Sequence, residues 1–156
     1  MFHSGVISDM DAGQKKVLDR LQAQCSKREY CTGDVRRKAL AALDGDAARA
    51  DEVVGSLLSD SFVSDLRYAS AFAREKAHLT GWGPVKIRYA LSAKGISRSD
   101  IDAALQEIEP LPASGRLEKL LAAKAKTLEG DPQARLKLIR FALSRGYEYD
   151  QIKAYL

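Results

Sequence analysis

Cysteine, histidine and tryptophan are almost missing: the 156 residues hold two, two and one of them. Cys25 and Cys31 stand six positions apart with no histidine near them to complete a zinc set, so they read as reduced packing thiols rather than as a disulfide or metal pair. His3 and His78 are too scattered to form a catalytic pair. No run approaches the roughly 18 apolar residues of a membrane span, and the first residues show neither a basic leader nor an apolar signal core, so a soluble, cytoplasmic protein without membrane contact is expected. There is no phosphate-binding or dinucleotide-binding glycine pattern: Gly81-Trp82-Gly83-Pro84 lacks the third glycine and the preceding strand. Glu107 and Glu109 fall on opposite sides of a helix and cannot share acid–base work. No catalytic, cofactor-binding or metal-binding residues are assigned, and a binding protein without cofactor is expected rather than an enzyme.

What is present is a repeat. Gly95-Ile96, Ile101, Ala103 and Leu105 recur in order and spacing at Gly146-Tyr147, Ile152, Ala154 and Leu156, a period near fifty residues. Units of that size cannot bury their apolar faces alone and must stack, which favours extended binding surfaces over one enclosed pocket. No strand alternation of useful length appears, and helix punctuation is frequent. The expected fold is all-α: three tandem three-helix, helix-turn-helix-like repeats in an elongated, curved array. The expected divisions are a frayed 1–12, then modules at 13–60, 61–109 and 110–156.

The middle module shows the logic. Phe62, Leu66, Ala69, Ala73 and Ala77 recur at helical spacing until Gly81 and Gly83; Pro84 opens a second helix closed by Gly95; and Ser97 with Asp100 caps a third, which Pro110 stops. In the first module Thr32 is the expected N-cap of the second helix, and Asp44-Gly45-Asp46 the turn after it. In the third, Asp131-Pro132 is the expected start of the second helix and Gly146 its end. A bend is expected at 109–113.

Formal charge is only +4, but its placement is uneven. The three second helices hold Arg36, Arg37 and Lys38; Lys86, Arg88 and Lys94; and Arg135, Lys137, Arg140 and Arg145, with no acid within 35–43, 84–94 or 133–145. On the third helices Asp51 and Glu52 outweigh Arg49, and Asp100, Asp102, Glu107 and Glu109 outweigh Arg98. If equivalent helices line one side of the array, the ten cations form an interrupted basic strip suited to a phosphate backbone or an acidic protein groove. Sequence-specific duplex reading is disfavoured, because the middle module's recognition-helix candidate presents Ser99, Asp100 and Asp102. Trp82 is either a packing residue or a partner anchor; Tyr89 and Phe141 read better as core than as base-stacking groups.

Several stretches together resemble one family. Arg28-Glu29-Tyr30 leading into Thr32, Asp34, Arg36-Arg37-Lys38 and Leu40; Asp65, Arg67-Tyr68-Ala69 and Phe72; Gly83-Pro84-Val85-Lys86-Ile87; Lys94-Gly95-Ile96-Ser97; and Arg140-Phe141 with Ser144-Arg145-Gly146-Tyr147 look like the RecX regulatory proteins of bacteria. The likeness spans about residues 15–156. It implies a small monomeric regulator of the RecA recombinase that lies along the RecA filament on single-stranded DNA and restrains strand exchange and ATP hydrolysis, as part of recombinational DNA repair and the SOS response. The first module departs from the family at Asp44-Gly45-Asp46, where a basic residue, glycine and an apolar residue are usual. A general nucleic-acid-binding helical repeat protein without filament preference is the alternative.

Overall fold

The computed structural model describes residues 9–108 and 113–156. Among them the chain is helical without a strand: α1 (Ala12–Cys25), α2 (Thr32–Ala42), α3 (Ala47–Ser59), α4 (Asp65–His78), α5 (Pro84–Ala93), α6 (Arg98–Ile108), α7 (Ala113–Thr127), α8 (Ala134–Ser144) and α9 (Tyr149–Lys153). The all-α repeat fold read from periodicity is therefore present. Of the segment expected to fray, residues 1–8 lie outside the described residues, whereas Met10 is buried and Asp11 caps α1 in a reciprocal box with Gln14. The bend expected at 109–113 lies, apart from Ala113, outside them too.

The described residues fall into two compact units: 9–68 with 94–96, and 69–93 with 97–108 and 113–156. In the first, α1 and α2 pack on α3, the most amphipathic of the three helices. Val17, Leu18 and Leu21 from α1, Val35 and Ala39 from α2, and Val53, Val54 and Leu57 from α3 make one apolar core that excludes water. Gly55 of α3 faces open space, so its propensity cost is offset elsewhere by burial of the opposite face.

Two expected caps are placed differently. Thr32 is the first residue of α2 rather than its cap; Cys31 holds the cap position without a capping hydrogen bond from its side chain to the helix backbone, and the Thr32 N–H donates instead to Asp65 Oδ1 at 2.7 Å. The acceptor that a helix start needs comes from 33 residues away. Likewise α8 begins at Ala134 rather than at Pro132: Asp131 accepts from the Gln133 N–H at 2.8 Å and closes a turn before the helix.

In the second unit α5 packs on α6, and α8 packs on both α7 and α9. Ala69, Ala73 and Ala77 of α4 are fully or almost fully buried, as are Ile87 and Leu91 of α5 and Ile101 and Ala104 of α6. Small alanines on one stripe let neighbouring backbones approach closely. Leu117, Leu121, Ala142, Tyr147 and Ile152 form a further core in this unit. The sequence repeat is visible in space: Ile96 and Tyr147, one residue past the left-handed glycines Gly95 and Gly146, are both buried, as are Ile101 and Ile152.

Removing the distant cap by Asp65→Ala should cost about 1–2 kcal/mol and lower Tm by a few degrees, measured by thermal melts followed by circular dichroism, with Asp65→Asn largely retaining both. A pH series tests the carboxylates. Asp11 is held below its ordinary value of 3.8 by the hydrogen bond from Arg49 and by the Gln14 N–H. Burial alone would raise Asp34, but the Cys31 thiol hydrogen bond, Lys94 and Arg37 together outweigh it and hold it down. Groups depressed in the folded state stabilise it fully above their ordinary value, and that contribution fades as pH falls through and below 3.8. Urea midpoints should drop over that window, and Asp34→Asn should flatten the drop.

Candidate functional site

The ten cations of the second helices divide into three classes. Five are ion-paired. Arg36 meets Asp51 at 2.8 Å, Arg88 meets Asp102 at 2.7 Å, Lys94 meets Asp34 at 3.4 Å, Lys137 meets Asp131 at 2.5 Å, and Arg37 also pairs with Asp34. Lys94 lies beyond the end of α5 and belongs with the first unit. The Arg36–Asp51 and Arg88–Asp102 pairs occupy matching places in the repeat, each joining a basic second helix to the acidic third helix after it. Acidic third helices therefore neutralise part of the basic bias that counting by helix assigns to a binding face. Exposed pairs of this kind add little stability, because solvent screens them.

Lys38, Lys86 and Arg145 have no carboxylate partner among the described residues and rest on aromatic rings instead. Arg135 and Arg140 are exposed and likewise lack a carboxylate partner among the described residues.

In the second unit this arrangement becomes a site. Trp82 is half-buried and meets Phe72 edge to face, ring centres 6.1 Å apart. Lys76 Nζ lies 4.9 Å and Lys86 Nζ 4.5 Å from the Trp82 ring centre. A second platform forms on Phe141, with Lys124 Nζ at 5.1 Å and the Arg145 guanidinium at 5.0 Å. None of these four cations has a carboxylate partner among the described residues. A cation held over a ring face keeps its N–H groups available to a phosphate while its stem is restrained.

Backbone contact joins the two platforms. The Gly83 N–H donates to the Arg145 carbonyl at 2.6 Å and the Val85 N–H to the Gly146 carbonyl at 2.9 Å, while Arg145 Nη1 donates to the Thr80 carbonyl at 3.1 Å. This approach requires glycine twice. A Cβ on Gly83 would sit 2.5 Å from the Gly146 carbonyl oxygen, and one on Gly146, at φ +93°, would strike the Lys86 backbone and Cβ. Lys76, Trp82, Lys86, Arg145, Phe141 and Lys124 thus make a continuous cationic and aromatic strip.

Sequence reading located Lys86 and Arg145 but missed Lys76 and Lys124, which come from the last turns of the first helices α4 and α7. Their signal was available as cations where a helix dipole favours them, close in sequence or in the repeat to an aromatic. The expectation that Tyr89 packs in the core is overturned: it is 79% exposed on α5. Phe141 is half-buried beneath its two cations. No group of metal-ligating side chains occurs among the described residues, and none of their helices is long and apolar enough to cross a membrane.

Comparisons with known proteins agree with one another. The model of the second three-helix domain of RecX matches residues 64–105, and that of the third three-helix domain matches 115–156. The chain is similar to the regulatory protein RecX of Pseudomonas fluorescens, 30% identical over 152 residues that cover 97% of this chain and 94% of the relative. It is also similar to that of Pseudomonas entomophila, 29% identical over 150 residues covering 96% and 92%. The crystal structure of RecX from Lactobacillus salivarius has the same fold, with a TM-score of 0.82 at 22% identity, over 92% of this chain and 94% of that one.

The glycine seam yields a comparison. Gly146→Ala should lose about 2–4 kcal/mol and alter the emission of the sole tryptophan, whereas Gly95→Ala, with a similar φ but open space around it, should lose about 1 kcal/mol and leave the emission unchanged. Urea titrations followed by fluorescence and circular dichroism measure both.

Proposed function

This chain belongs to the RecX family of regulatory proteins, and from that premise we propose that it binds the RecA filament on single-stranded DNA and restrains its ATPase and recombinase activity. The observation that carries the nucleic-acid part is the strip of four carboxylate-free cations seated on Trp82 and Phe141. A phosphate backbone recruits such cations through counterion release, and bases stack on aromatic faces without regard to sequence. Lys86 and Arg145, held together by the seam, would take successive phosphates; Lys76 and Lys124 flank them. Arg135 and Arg140 extend the basic surface along α8. Arg36 and Arg88 contribute by exchanging exposed carboxylate partners for phosphate, which costs little; Lys38 would leave a ring, and Arg37, Lys94 and Lys137 contribute less, because they would have to leave the partly buried Asp34 and Asp131.

The chain acts as a binding protein in the cytoplasm, as a monomer, with no chemistry of its own. A second reading, binding to bare strands without filament preference, is favoured by one property of the strip: its cations and rings call only for a polyanion with bases.

RecA ATPase on single-stranded DNA separates the two. Saturating protein should depress the rate severalfold, and an unchanged rate excludes the filament reading. Joint reversal of Lys86, Lys124, Arg140 and Arg145 to glutamate should abolish the effect, while reversal of Asp100 and Asp102 should leave it. With about five phosphates neutralised, log affinity for a single strand should fall with log salt at a slope of roughly −3 to −4, about a hundredfold from 50 to 200 mM.

A further inference from the structure

The first unit has a cation-flanked ring of its own. The Arg28 guanidinium lies 4.6 Å and Lys38 Nζ 5.2 Å from the Tyr30 ring centre. Lys38 also lines an open groove of about 350 Å³ between α1 and α2. Val17, Leu21 and Ala41 supply its apolar floor; Arg20, Gln24 and Lys38 supply its polar groups, and no carboxylate lines it. Arg20 and Lys38 have no carboxylate partner among the described residues, and Gln24 Oε1 is shut off from water with no hydrogen-bond donor among them.

We propose that this groove is a second subsite for single-stranded nucleic acid, taking one base against the apolar floor and the neighbouring phosphates at Arg20 and Lys38. Three features select that ligand. An apolar surface flanked by cations matches a base, whose ring packs on the floor without regard to sequence while its phosphates meet the charges. Two point charges with no opposing acid match a backbone on either side of it. The volume is at the small end of ligand sites, and no cradle of backbone N–H groups encloses a terminal phosphate, so affinity must come from a strand that continues past the groove rather than from a free nucleotide. Arg28, over the ring of Tyr30, would take a further phosphate. This subsite belongs to the first unit, whereas the Trp82 and Phe141 strip belongs to the second, and it does not rest on the filament reading.

The full-length chain and fluorescein-labelled oligothymidine test it by anisotropy. Arg20→Ala with Lys38→Ala should weaken binding about tenfold at 100 mM salt and make the salt slope about 1.4 less steep, two phosphates at 0.7 each. Lys15→Ala with Lys16→Ala removes the same charge from exposed positions of α1 outside the groove and should change affinity less than threefold. An iodouracil-substituted strand should crosslink to peptides within residues 17–42. Equal losses for the two double variants, crosslinks confined to residues 72–86 and 124–145, or displacement of the strand by polyglutamate or thymidine monophosphate at equal charge concentration would each overturn the proposal. RecA ATPase inhibition is scored separately, so loss of one reading leaves the other measurable.

Discussion

Direct backbone contact between the turn before α5 and the end of α8 sets the geometry of the second unit. Two short hydrogen bonds, from Gly83 to the Arg145 carbonyl and from Val85 to the Gly146 carbonyl, bring main chain against main chain where no Cβ fits. Tyr147 is buried directly after that contact, and its hydroxyl reaches back to the Gly81 carbonyl at 3.5 Å. Lys86 and Arg145 are neighbours only because of this approach, and with them the Trp82 and Phe141 platforms. A backbone constraint therefore decides where charge is presented.

Electrostatic pairing follows a division of labour along the repeat. Matching pairs, Arg36 with Asp51 and Arg88 with Asp102, tie second helices to third helices. The corresponding places in the last repeat are Ile139 and Lys153, so no such pair forms there and the cations of α8 stay open to a partner. Lys137 is the exception, drawn back to Asp131 at the start of its own helix. The open cationic surface thus depends on which cations lack an acid nearby, rather than on how many a helix carries.

Much of the fold was legible because helix periodicity and glycine stops are local signals. Gly95 and Gly146 both adopt the left-handed conformation that their place after a helix predicts, and Ile101 and Ile152 are buried as the repeat requires. The caps at Thr32 and Asp131 were misread for different reasons. At Thr32 the acceptor is Asp65, remote in sequence and invisible to any local rule. At Asp131 a turn closed by the same carboxylate moves the helix start from Pro132 to Ala134. The candidate site was legible only in part: counting by helix records charge but not its partner, so it included the paired Arg88 and Lys137 and overlooked Lys76 and Lys124. Tyr89 was misplaced because its apolar neighbours Ile87 and Leu91 suggest a core face that it does not share.

Trp82 forms one of the two ring platforms of the strip and is the only tryptophan in the chain, so its emission reports directly on whether nucleic acid engages there. Titration with an unlabelled oligothymidine should change that emission saturably, and added salt should reverse the change along the same curve as the affinity. Full binding by an independent mass measurement, with Trp82 emission constant throughout, would contradict the assignment of the strip as the nucleic-acid face.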